Sequence, residues 1–175
     1  MRKHPYDVLV ICCICMFGVL NLLAYQIYGI NQEQKRQAEA VQEFKNSERN
    51  CLITALYHEA RGEGKLGIEA VASVIYNRKS HPYFPESYCG ITNQYKQFSY
   101  TLLDKPFGDD IETILKPSER KVYTLISNIA NDMVNERFKP TLPPSVMWYT
   151  THKVSNKWTK KKKVVAEIGK HRFYS

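Results

Sequence analysis

The chain has 175 residues, 43% of them hydrophobic and 24% charged, with eight Gly and eight Pro. That length suits one domain with a short appendage, and the composition excludes a wholly disordered or collagen-like chain. The net charge is +8, and most of the basic excess falls after residue 50. A basic body favours a polyanionic partner: nucleic acid, anionic lipid or an acidic wall polymer.

From Val8 to Ile30 the chain carries no charge. A helix over that stretch is about 34 Å long, enough to cross the ~30 Å hydrocarbon core of a bilayer. Tyr25 and Tyr28 stand near its far end, where aromatic belts form, and Met1-Arg2-Lys3-His4 is a positive leader ahead of it. The expectation is a cytoplasmic leader over 1–7 and a transmembrane signal-anchor over 8–30, in contact with membrane lipid. Residues from 31 onward then lie across the membrane, periplasmic or extracellular. A cleaved signal peptide is the competing reading. Against it, the apolar run exceeds the usual core of ~7–15 residues and no small-x-small site follows. A buried globular helix would show a polar face, and none precedes Asn21.

Residues 31–50 are rich in Gln, Glu and Lys and read as a polar, partly helical spacer. Residues 51–175 form a body with enough chain for one modest core. Leu52, Ile53, Leu56 and Ala60 recur there at helical spacing, and Gly62 and Gly64 end that helix. A second helix is expected over about 65–78, with Leu66, Ile68, Val71, Val74 and Ile75 on its buried side. After a loop-rich stretch, Ser118 is placed to cap a third helix reaching about Phe138. Its stripe is Val122, Leu125, Ile126, Ile129, Met133 and Val134. Residues 146–154, 164–168 and 172–174 have the β-branched and aromatic character of short strands.

Of five cysteines, Cys12, Cys13 and Cys15 fall in the apolar run, and Cys51 and Cys89 lie in the body. No Cys or His set has convincing zinc spacing, so neither a metal nor another cofactor is expected. The run Lys160-Lys161-Lys162-Lys163 reads as a solvated face, or as an attraction to anionic wall or lipid headgroups. The expected topology keeps it out of the cytoplasm, so nucleic acid is not an expected partner.

Glu59 stands seven residues after Leu52 and three after Leu56, and so projects from the apolar face of its helix. A carboxylate there must line a cleft, pair with a cation or hold a proton. Burial, the unpaired carbonyls of the last helical turn and nearby Glu63 all disfavour its negative charge, which suits a general acid. An ion pair with Arg61 or Arg78 fits the same spacing.

The run Glu59-Ala60-Arg61-Gly62-Glu63, then Ala70-Val71-Ala72-Ser73-Val74-Ile75-Tyr76-Asn77-Arg78, resembles the opening of the SleB/CwlJ-type cell wall hydrolase family. Phe84-Pro85, Cys89-Gly90, Gln97-Phe98-Ser99 and the closing Ile168-Gly169-Lys170-His171-Arg172-Phe173-Tyr174 follow in the family's order. The resemblance covers most of 51–175 in pieces and none of 1–50. It implies an α+β, mainly helical, lysozyme- or transglycosylase-like catalytic domain with a small C-terminal β element. With the segment before it, the fold is that domain preceded by one transmembrane helix.

The resemblance further implies an enzyme cleaving the N-acetylmuramic acid to N-acetylglucosamine bond of peptidoglycan, with Glu59 as catalytic acid. One carboxylic acid suffices for a lytic transglycosylase; a muramidase adds a second carboxylate, for which Glu63 and Asp104 are candidates. Gln97 and Ser99 can hydrogen-bond sugar substituents, and Phe98, Tyr149 and Trp158 can stack on sugar faces or serve as core. Arg61, Glu63, Asn77 and Arg78 are supporting residues, with helix capping and ion pairing as their plainer roles. Where the family tends to show an aromatic-His pair and then a Pro-x-Trp-like segment, this chain has Tyr149-Thr150 and Asn156-Lys157-Trp158. Thr150 thus takes the His place, with His152 as a possible substitute. That departure motivates the alternative of a non-catalytic, membrane-tethered peptidoglycan-binding module. Wall remodelling and phage lysis of a host would share the enzymatic chemistry.

Overall fold

The computed structural model describes residues 5–94, 115–152, 154 and 157–175, with side chains from residue 9. The chain divides into two units, Met1–Phe44 and Lys45–Ser175.

The first unit is one element. Helix α1 spans Pro5–Ala60, so the 31–50 stretch is helical throughout and not merely in part. All side chains from Leu9 to Phe44 are exposed, including Phe17, Leu20 and Ile27. Its apolar part has a mean hydropathy of 2.1 over an 18-residue window, long and apolar enough to cross a membrane by length and composition.

The second unit is mainly helical with a small sheet. The last turns of α1 enter its core, where Leu52, Ala55 and Leu56 are wholly buried. Helix α2 (Gly64–Lys79) starts at a glycine with φ of 67°, which turns the chain back after α1. Ile68, Val71, Val74 and Ile75 of α2 are wholly buried, as their spacing predicts, but Leu66 is 69% exposed. Ala70, one turn on in the same stripe, is buried, so packing against this face begins only after Leu66.

The short helix α3 (Tyr88–Thr92) is capped by Ser87, whose hydroxyl accepts from the Gly90 amide. The buried Glu48 carboxylate accepts from the Tyr88 and Cys89 amides at 2.5 and 3.0 Å. A Cys51–Cys89 disulfide fastens the same helix to α1. These bonds hold the end of α1 against its surroundings.

Ser118 does not cap the third helix. It lies inside a 3-10 turn, Pro117–Glu119, whose N-cap is Lys116 and whose first residue is the proline. Helix α4 (Arg120–Val134) follows, with Ile126, Ile129 and Met133 buried.

Three strands, β1 (Trp148–Thr151), β2 (Val164–Ile168) and β3 (His171–Tyr174), form an antiparallel sheet of order β1-β3-β2. Pairing of Tyr149 with Phe173 and of Thr151 with His171 sets the register. Phe173 and Tyr174 pack into the core and anchor the sheet.

Candidate active site

Glu59 is the penultimate residue of α1, half-buried, on the wall of a cleft of about 540 Å³. The helix supplies this position because Leu52 and Leu56 pull the same face into the core. Strand β1 supplies the facing residues Trp148, Tyr149, Thr150 and Thr151. The Tyr149 hydroxyl donates to Glu59 Oε2 at 3.4 Å. Trp158 and Lys162 extend the wall beyond β1, and Arg78 and His171 complete it from α2 and β3.

His171 is buried, with its ring edge-on to Tyr149 at 5.2 Å. Burial lowers its pKa, against the pull of the Glu63 and Glu59 carboxylates, so the imidazole is neutral at neutral pH. Among the described residues its Nδ1 has no hydrogen-bond partner.

Arg78 is buried and fixed by two contacts. Its Nε donates to the Met147 carbonyl at 2.8 Å, and its guanidinium lies 5.3 Å from the Phe84 ring centre. Asn77 beside it donates to the Pro143 and Val146 carbonyls at 2.8 and 3.0 Å. Neither residue serves as a cap. Together they tie the end of α2 to the lead-in of β1 and so place that wall opposite Glu59.

Two other sequence candidates also act by bracing. Arg61 folds back over the Tyr57 ring at 4.8 Å and pairs with Glu119 at 3.5 Å. Glu119 also accepts from the Tyr57 hydroxyl at 2.9 Å. Glu63 does not line the cleft. Its Oε2 accepts from the Lys170 amide at 2.6 Å, and the carboxylate sits against Gly169, which has a φ of 58°. A side chain at 169 would collide with it, so Glu63 and Gly169 together shape the β2–β3 turn that carries His171. This engagement removes Glu63 as a second carboxylate facing substrate.

Tyr149 and Trp158 line the cleft. Gln97, Phe98, Ser99 and Asp104 lie outside the described residues. Thr150 lines the cleft, whereas His152 is exposed and 3.9 Å from Glu167, so His152 does not take the cleft position. Trp148 and His171 were not assigned a site role by sequence reasoning, and Lys162 was noted only within the run Lys160-Lys161-Lys162-Lys163. Their place beside Glu59 depends on contacts across some 90 residues, which leave no local pattern.

Residues 62–174 match the Cell Wall Hydrolase family, a match that begins three residues after Glu59. The chain is 26% identical over 130 residues to the spore cortex-lytic enzyme of Bacillus subtilis (strain 168), covering 74% of this chain but only 38% of that protein. Two solved structures share the fold. One is the catalytic domain of the SleB protein of Bacillus cereus: 26% identity, TM-score 0.53, 74% of this chain and 91% of the other. The other is the catalytic domain of the germination-specific lytic transglycosylase SleB of Bacillus anthracis: 23% identity, TM-score 0.52, 74% and 94% covered. The chain belongs to the cell wall hydrolase family, and its body is a catalytic domain of that class.

Proposed function

We propose that this enzyme cleaves peptidoglycan glycan strands between N-acetylmuramic acid and N-acetylglucosamine, with Glu59 as general acid and then base. The observation that carries this reading is the position of Glu59. It is the one carboxylate among the described residues that line the cleft, and it faces aromatic rings suited to stacking on sugars. As acid, Glu59 protonates the glycosidic oxygen while the bond from that oxygen to muramoyl C1 breaks. The resulting carboxylate then takes the proton of the muramoyl 6-hydroxyl, whose oxygen bonds to C1 and closes a 1,6-anhydro ring. No water is consumed and no second carboxylate is needed, in contrast to the paired carboxylates of most glycosidases. The Tyr149 hydroxyl at 3.4 Å holds the carboxylate's orientation between the two steps.

The helix over 8–30 is read as a single-pass anchor with a cytoplasmic leader, which puts the catalytic unit on the side of the membrane where the wall lies. The Cys51–Cys89 disulfide agrees with that oxidising side.

The full-length protein in mild detergent, incubated with purified sacculi, is expected to release soluble muropeptides with anhydro-muramoyl ends by mass analysis. Glu59→Gln lowers the rate about 10²–10⁴-fold, the usual contribution of a general acid. Reducing muramic ends would reassign the enzyme as a hydrolase, and free stem peptides would assign it to a different bond. The Thr150 departure supports a second reading, a wall-binding module without chemistry. Sacculus binding without release, unchanged by Glu59→Gln, would establish that one.

A further inference from the structure

Lys162 is half-buried on the cleft wall, and its ammonium stands 3.0 Å from the centre of the Trp148 ring. Among the described residues no carboxylate lies within 4.0 Å of it. The acidic groups around the sheet are engaged elsewhere: Glu167 with Arg172 and His152, and Glu63 with Lys170. The other fixed cation of the cleft, Arg78, is occupied by Met147 and Phe84. Among the described residues, the cleft therefore holds an ammonium paired with a π face and with no carboxylate, and a π face is a weak partner for a cation compared with an anion. That π face is also a surface on which a sugar ring can stack.

We infer that Lys162 is a specificity-determining residue, pairing with a carboxylate on the lactyl arm of a muramoyl substrate and yielding the Trp148 face to a sugar ring as it does so. The inference rests on the glycan-cleaving reading above and names what the cleft selects within it. The lactyl arm ends either in its own carboxylate, on strands stripped of peptide, or in a stem peptide bearing carboxylates. Both offer the same chemistry to an ammonium. Neutral glycans of N-acetylglucosamine offer none.

The test compares the full-length enzyme with Lys162→Gln, Lys162→Glu and Lys162→Arg on purified sacculi. Lys162→Gln is expected to raise KM roughly tenfold with kcat within about twofold, the pattern of lost uniform binding. Lys162→Glu raises KM further, Lys162→Arg retains most of the affinity, and rising salt weakens the unaltered enzyme more than Lys162→Gln. Lys121→Gln, an equal change of charge at an exposed site on α4, shifts KM less than twofold. Sedimentation with sacculi, in the Glu59→Gln background, gives a readout independent of turnover. There the added Lys162→Gln is expected to weaken binding by a similar factor.

Repeating the comparison on amidase-stripped strands separates the two sources. A Lys162 effect confined to intact sacculi assigns the stem-peptide carboxylate, and one confined to stripped strands assigns the lactyl carboxylate. If the unaltered protein releases nothing but the binding difference persists, the glycosidase reading fails and the Lys162 pairing stands. Unchanged KM and unchanged binding on both substrates overturn the pairing, whatever the activity.

Discussion

Leu20 and Leu56 lie on the same helix, yet one is 59% exposed and the other wholly buried. Over residues 9–30 the helix offers apolar side chains on every side, within a unit of its own that ends at Phe44; after Lys45 its inward face is absorbed into the catalytic body. Backbone geometry is the same in both regions. What differs is the pattern around the helix: all-round apolarity has the length and composition of a membrane span, and a one-sided stripe fits a protein core. Glu59 stands on that inward stripe, where it meets the cleft.

The difference can be broken at either end. The largest stability effect is expected from the disulfide, which closes a sequence separation of 38 residues. Loop-closure entropy puts its loss at about 4 kcal/mol, so Cys51→Ser or reduction lowers the unfolding midpoint of the body sharply. Replacing Cys12, Cys13 and Cys15 leaves that midpoint in place. Near-ultraviolet circular dichroism of the detergent-solubilised chain follows both.

A smaller and more pointed contrast comes from two leucine truncations. Leu56→Ala removes wholly buried side-chain atoms one turn before Glu59 and is expected to cost about 3 kcal/mol of stability, with loss of activity. Leu20→Ala changes neither the stability nor the turnover of the body. If Leu20→Ala destabilised the catalytic unit as much as Leu56→Ala, the division of the helix into two regimes would be wrong.

The mildest effect concerns pH and belongs to the body alone. Burial lowers the pKa of His58, with Arg61 adding to the effect, and burial likewise lowers that of His171. The unfolded chain binds these protons near the ordinary value of 6.5, whereas the fold prefers both rings neutral. Their contribution to stability is therefore complete above that pH and is lost as pH falls through it towards the lowered values. Thermal midpoints are expected to drop between pH 7 and pH 5, and His58→Gln should make the drop shallower.

Helix positions and the apolar span were legible because their signals are local and repeat every few residues. Glu59 was legible for the same reason: a carboxylate in an apolar stripe breaks a pattern that the eye can count. Leu66 obeyed the stripe yet stayed exposed, since periodicity tells which way a residue faces but not how far the neighbouring packing extends. Ser118 had the right chemistry for a cap, but Pro117 began a 3-10 turn around it.

The sequence by itself determined the apolar span, the helical frame of the body and the carboxylate facing inward, because each depends on residues within a turn or two of one another. Only the tertiary structure decided which side chains stand opposite that carboxylate. Tyr149 reaches Glu59 across 90 residues, Glu63 is withdrawn from the cleft by a turn 107 residues away, and Arg78 is held by a carbonyl 69 residues on. Such contacts are fixed by sheet register and by buried polar groups finding partners, and neither leaves a short-range mark on the chain.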